Sequence, residues 1–233
     1  MTKQKKEITE KVLIVAAHPD DEVLGCGGTI IKHKECSDLV NVLFLADGVT
    51  SRENEKNKKF VEVRENHAKK AGAIMGVDEI KFLKLPDNSL DKVLFIDIVR
   101  KIEAYINYFD PTIIYTHHGG DLNVDHRITH QAVLTASRPT PDNSCKKIFC
   151  FEVLSSTEWS SDSIGNNFIP NTYVDISKQL ERKKLALKAY KNEIRKFPHP
   201  RSLKTLEILA QYRGSSVGLN ASEAFLKIRE IIK

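Results

Sequence analysis

The run VLIVAAH, Val12 to His18, is apolar almost without a break, rich in β-branched side chains, and stops at Pro19 inside a knot of charge, HPDDE. A strand that is apolar on both faces must be covered on both faces. That is the condition of a central strand in a parallel sheet sandwiched between helices. The rest of the chain repeats the unit. A helix is predicted over Glu22–His33, a strand over Val40–Gly48, and a polar loop over Val49–Lys59. A helix from about Phe60 to Met75 carries Phe60, Val63, His67, Ala71 and Ile74 on one side, and IKFLKL (Ile80–Leu85) is a strand. The next helix starts near Leu90 and buries Phe95, Val99, Ile102, Ile106 and Phe109, spaced by three and four. Strand Thr112–His118, a polar loop, a helix to about Ser137 and strand Ile148–Leu154 follow, with Thr172–Ile176 as a sixth strand at an edge. Strand-then-helix units with short connections predict an α/β sandwich with a mainly parallel sheet.

In that architecture ligands bind beyond the carboxyl ends of the strands, near the switch in strand order. Two polar clusters sit where this rule puts them. His18-Pro19-Asp20-Asp21-Glu22 follows the first strand, and His117-His118-Gly-Gly-Asp121-Leu-Asn123-Val-Asp125-His126 follows the fourth. One imidazole and one or two carboxylates from the first, with an imidazole from the second, would make an open facial site on a divalent ion. Adjacent carboxylates point apart, so one can hold a metal while the other serves as general base. The plainer alternative makes HPDD a helix entry, its carboxylates meeting free N–H groups and its histidine satisfied by hydrogen bonds.

AHPDDEVLGCGGTI, the later DLNVDHR and the C-terminal GSSVGLNASEAF resemble the LmbE/PIG-L family of zinc-dependent N-deacetylases over most of the chain. The resemblance implies a Rossmann-like three-layer sandwich and hydrolysis of the N-acetyl group of an N-acetylglucosamine-type conjugate, releasing acetate and a free amine. It implies His18, Asp21 and His126 as ligands of Zn2+ or another divalent metal, Asp20 as general base, and Arg64 as a substrate-holding arginine. The chain departs from the family pattern at Asn123, where many members have a histidine that assists the tetrahedral intermediate. Asparagine can donate a hydrogen bond but cannot change charge near pH 7. Oxyanion help is then expected from Asn123 itself, from the metal, or from His117 or His118, which are also candidates to touch substrate. Two alternatives stay open: a non-catalytic sugar- or nucleotide-sugar-binding module, and a metal hydrolase of another amide or ester.

Net charge narrows the partners. Lys plus Arg outnumber Asp plus Glu by 36 to 31, a net of +5, yet Lys178–Lys204 alone holds ten basic and two acidic residues, leaving −3 elsewhere. Leu180, Leu187, Tyr190, Ile194 and Phe197 stripe that segment, which predicts a surface helix with its lysines outward. Lys183, Lys184, Arg201 and Arg213 are expected to face solvent, with contact to an anionic substrate as the rival role. Nothing resembles a nucleic-acid-binding motif, so the expected partner is a small N-acetylated sugar conjugate, neutral or anionic. Homo-oligomerisation stays open, with Phe168, Ile169 and Tyr173 as either interface or core.

Residues 1–10 read as a flexible arm before a single α/β domain over 11–233, with a basic helical region from about residue 177. No apolar run approaches the roughly 20 residues that span a bilayer, and no signal peptide is evident, so the expectation is a soluble cytoplasmic protein. Cys26, Cys36, Cys145 and Cys150 form no CxxC and are expected as free thiols. The glycines at 25, 27 and 28 miss the dinucleotide fingerprint and are expected to let the helix start approach the metal loop. Gly214-Ser215-Ser216-Val217-Gly218 matches a nucleophile elbow only in letters, because a helix pattern precedes it where a strand is required.

Overall fold

The structure, a computed structural model, describes residues 10–51, 58–141, 143–161 and 167–232. Its seven-stranded sheet runs β3-β2-β1-β4-β5-β7-β6. The strands are β1 (Lys11–Ala16), β2 (Leu39–Ala46), β3 (Glu79–Leu85), β4 (Ile113–His117), β5 (Lys147–Phe151), β6 (Thr172–Asp175) and β7 (Ser222–Glu230). The first five are parallel, and β7 lies antiparallel between β5 and β6. The helices are α1 (Asp21–Glu35), α2 (Lys58–Met75), α3 (Phe95–Phe109), α4 (Val124–Ala136), α5 (Leu180–Lys188) and α6 (Leu203–Ser215).

Alternate residues of β1 explain its unbroken apolar run. Val12, Ile14 and Ala16 pack with α1, α2, α5 and α6, while Leu13 and Val15 pack with α3 and α4. Strand order reverses between β1 and β4, which pair directly through Ile14↔Tyr115. The loops that leave these two strands therefore open side by side at one sheet edge. Among the described residues no helix is long and apolar enough to cross a membrane.

Four expectations need correction. The striped basic helix ends at Lys188, and Tyr190, Glu193 and Arg201 lie in irregular chain before α6. Pro198 and Pro200 cannot supply helix N–H groups, and Phe197 is exposed rather than buried. Lys183 is 3% exposed, because its Nζ pairs with Glu223 Oε1 at 2.6 Å and donates to Leu24 O at 3.0 Å. Arg213 forms a two-bond pair with Glu152, at 2.8 and 2.7 Å. The tail SEAFLKIRE is strand β7, which went unpredicted. The helix expected from Leu90 is a 3-10 turn, Leu90–Lys92, followed by α3, and Phe95 is 41% exposed at the start of that helix.

The glycines of α1 serve a different contact from the one expected. A Cβ on Gly25 would lie 2.3 Å from the Phe151 ring, and one on Gly28 would lie 2.7 Å from Ile176, so they let α1 lie close to the sheet. Between them the helix breaks at Cys26 (φ −146°, ψ 22°). The two N–H groups freed beyond the break, on Gly28 and Thr29, donate to the Glu223 carboxylate at 2.8 and 2.7 Å. A strand residue thus caps the second half of α1. The predicted edge strand is β6, and of the loop over Val49–Lys59 residues 52–57 lie outside the described residues, as do 1–9 of the arm.

All four cysteines are free, and only Cys36 is exposed. Burial pushes the Cys150 thiol up to about 12 and raises Cys26 and Cys145. Because the thiolate is the reactive form, native protein at pH 8 should take one maleimide label per chain, at Cys36. The other three should label only in denaturant, and mass spectrometry of tryptic peptides checks the assignment.

Candidate active site

The HPDDE turn is wound on itself. His18 N donates to Asp21 Oδ2 at 2.9 Å, and Asp20 N donates to Glu22 Oε2 at 2.9 Å. These bonds hold Asp20, a non-glycine residue, at φ 111°, a conformation that costs on the order of 1–3 kcal/mol. Glu22 Oε1 accepts from the Tyr190 hydroxyl at 2.6 Å, and burial pushes the Glu22 carboxyl up to about 8. The strained turn leads into α1, whose first-turn carboxylates, on Asp21 and Glu22, suit a helix N-terminus.

From β4 comes His117, whose Nε2 accepts the Ala17 N–H at 2.8 Å, tying the two strand ends together. Its ring stacks on His126 with centroids 4.0 Å apart. His126 sits in the first turn of α4, and its Nδ1 lies 3.1 Å from Asp121 Oδ1. Asp121 in turn accepts from Ser156 Oγ, Thr157 Oγ1 and Asn123 N. His18 is held the same way: its Nε2 lies 3.0 Å from Asp125 Oδ2 and 3.1 Å from Asp87 Oδ1. Each imidazole thus has one nitrogen on a carboxylate while the other faces Asp21. His18 Nδ1 and His126 Nε2 are both 3.3 Å from Asp21 Oδ2.

Ligand atoms of His18, Asp21 and His126 all lie within 4.8 Å of one another. Among the described residues, Asp20 Oδ1, Asp21 Oδ1 and His126 Nε2 are buried with no hydrogen-bond partner. Unpaired buried polar atoms are costly. Two nitrogens and a carboxylate, each imidazole backed by an acid, form the donor set of a divalent-metal site with open positions. The residues fit such an ion. His18, Asp87 and Asp125 satisfy the same distance criterion, but they meet through His18 Nε2 and act as supports of that ring.

Electrostatics agree with this division. Burial acts to lower His126, but the Asp21 charge and the Asp121 hydrogen bond outweigh it and bring the ring up to about 9. Burial and the neighbouring His126 hold His117 low. Burial acts to raise Asp87, but its contacts with His18 and Ser51 bring it down to about 2. Asp20 is raised by burial, against the opposing pull of Arg201 and Arg64.

The remaining expected residues take other places. Arg64 is buried, with Nη2 3.2 Å from Asp20 Oδ2 and Nη1 paired with Glu193. His117 has no exposed surface with which to meet a substrate, and His118 is 2% exposed, edge-on to Phe168 at 5.3 Å. Asn123 is the N-cap of α4: its Oδ1 accepts the Asp125 N–H at 2.8 Å and its Nδ2 donates to Asn88. Capping is a common asparagine role. Asp87, Asp121, Asp125 and Glu193 carried no expected role, and Arg201, expected to face solvent or an anionic substrate, is instead turned onto Asp20 Oδ2 at 3.0 Å. Asp121 and Asp125 stand in the quoted cluster, but a carboxylate that orients a ligand has no spacing signature.

The family model described as GlcNAc-PI de-N-acetylase, PIG-L, matches residues 13–137. A probable N-acetyl-alpha-D-glucosaminyl L-malate deacetylase 2 of Bacillus anthracis is 23% identical over 188 residues, covering 78% of this chain and 80% of that protein. The N,N'-diacetylchitobiose deacetylase of Pyrococcus horikoshii superposes with a TM-score of 0.75 at 19% identity, over 94% of this chain and 84% of that one. GalB of Pseudomonas putida, a 4-carboxy-2-hydroxymuconate hydratase, superposes as well, at 0.76 and 18% identity over 97% and 98%. The fold therefore does not choose the reaction; the site must.

Two outcomes test the site. The Asp21 charge and the Asp121 hydrogen bond bring metal-free His126 up to about 9, so a proton must leave its nitrogen before it ligates. Affinity for Zn2+ should therefore tighten by about tenfold per pH unit for each proton displaced between pH 7 and 9, with proton release seen by calorimetry in buffers of different ionisation enthalpy. A flat affinity over that window would show that no imidazole proton leaves the site when the ion binds. Asp121→Asn should weaken metal binding by about 10- to 100-fold, measured by chelator competition.

Proposed function

The chain belongs to the GlcNAc-PI de-N-acetylase (PIG-L) family, and we propose that it is a zinc-dependent deacetylase that removes the N-acetyl group from an N-acetylglucosamine-type conjugate. The observation that carries this reading is the meeting of His18, Asp21 and His126 beside Asp20, whose Oδ1 is buried and unpartnered among the described residues. The names of the Bacillus anthracis and Pyrococcus horikoshii proteins support an N-acetylated sugar as the substrate class.

In this reading His18, Asp21 and His126 hold the ion. When bound, it supplies Lewis acidity to the amide carbonyl and makes water a better nucleophile at neutral pH. Asp20 accepts a proton from the water as the new C–O bond forms, then delivers it to the nitrogen as the C–N bond breaks, leaving acetate and the free amine. Asp87 and Asp125 keep His18 turned inward, and Asp121 does the same for His126. Asn123 acts indirectly, by capping the helix that carries His126.

Zinc-loaded protein should release acetate from N-acetylated sugar conjugates and not from acyl amides or esters lacking the sugar. Tight sugar binding without acetate would instead favour a binding module, and turnover only on other amides or esters would move the substrate class. Asp20→Asn should keep stoichiometric metal and lose about 10²- to 10⁴-fold in kcat. Unchanged turnover would assign the base elsewhere.

A further inference from the structure

We propose that Arg201 is a positioning residue for Asp20: together with Arg64 it clamps one oxygen of that carboxylate so that the other faces the reacting water. The inference rests on the deacetylase reading and on Asp20 as its base.

Both guanidinium groups meet the same atom. Arg64 Nη2 lies 3.2 Å, and Arg201 Nη1 3.0 Å, from Asp20 Oδ2. Oδ1 of the same carboxylate is buried and has no hydrogen-bond partner among the described residues. A carboxylate with one free torsion can exchange its two oxygens, and a pair of cations on one of them stops the exchange. The clamp is itself held. Glu193 bridges the arginines, pairing through Oε1 with Arg64 and through Oε2 with Arg201 at 3.4 Å. Arg201 Nε donates to Ser155 Oγ at 2.7 Å, which fixes the plane of the fork. Two guanidiniums and two carboxylates balance in charge, so the arrangement orients Asp20 without adding a net positive charge beside a cation site.

The two arginines differ in origin. Arg64 belongs to α2, inside the span matched by the family model, whereas Ser155, Glu193 and Arg201 all come from beyond residue 137. The Arg201 side chain is 23% exposed against 4% for Arg64, so it is the one that can be replaced with less disturbance of packing. Lysine is a poor substitute, since one ammonium cannot reproduce the planar fork that spans Asp20 and Ser155.

The test compares zinc-loaded wild type, Arg201→Ala, Arg201→Lys, Asp20→Asn and the Asp20→Asn/Arg201→Ala double variant on one N-acetylated sugar. Arg201→Ala should lose about 10²-fold in kcat, the scale of a misplaced reacting group, with KM and zinc stoichiometry unchanged. Added ethylguanidinium should restore part of that loss. The double variant should be no slower than Asp20→Asn alone, because residues that act as a unit are not additive. Additive losses, a rise in KM with kcat intact, or loss of zinc would each overturn the proposal. So would wild-type kcat in Arg201→Lys, which stands as the test should Arg201→Ala fail to fold. Wild-type protein is assayed first: absence of acetate release there sinks the deacetylase reading itself, and this inference with it.

Discussion

Oδ2 of Asp21 is a single buried oxygen on which four nitrogens converge: the backbone N–H of His18 at 2.9 Å, His18 Nδ1 and His126 Nε2 at 3.3 Å each, and His117 Nε2 at 3.5 Å. Burial alone would raise this carboxyl, yet the surrounding imidazoles hold it well below the usual carboxylate range. The convergence exists because β1 and β4 are direct neighbours, so the turn after one and the helix after the other emerge together. The strain at Asp20, the stacking of His126 on His117 and the place of Asp121 all surround that oxygen.

Legibility in the sequence followed the range of the interaction. β1 is an unbroken apolar run and Val99, Ile102, Ile106 and Phe109 form a three-to-four stripe, both local patterns that the buried residues match. HPDDE and the cluster ending in His126 stood out because polar residues after strand ends mark candidate sites in this architecture. β7 was not readable, for its burial is continuous over Ser222–Phe225 and then gives way to an exposed half, which fits neither a central nor an alternating strand. Nor was the burial of Lys183: its partner Glu223 is 40 residues away, and no periodicity announces a long-range ion pair. The stripe over 180–197 misled because Tyr190 is anchored by Glu22 of the site rather than by a helix face.

A hydratase and a deacetylase both superpose on this chain over most of their length. What individualises the present chain is how its second half finishes the first. The candidate ligands lie within the span matched by the family model, but Ser156 and Thr157 steady Asp121, Tyr190 steadies Glu22, and Glu193 with Arg201 steadies Asp20. The candidate ligands and the carboxylates that orient their imidazoles share the matched span, while residues beyond 137 brace Asp20, Glu22 and Asp121 in turn.

The Glu223 cap on α1 joins groups 195 residues apart. Polypeptides emerge from the ribosome N-terminal end first, at about 5–20 residues per second. The carboxyl-terminal half of the helix that follows HPDDE therefore waits on the order of 10–40 seconds of synthesis for its cap. Until then Gly28 and Thr29 have no acceptor from β7, and Lys183 has no carboxylate to neutralise it. A nascent chain carrying every candidate ligand still lacks the strand that caps the helix behind them.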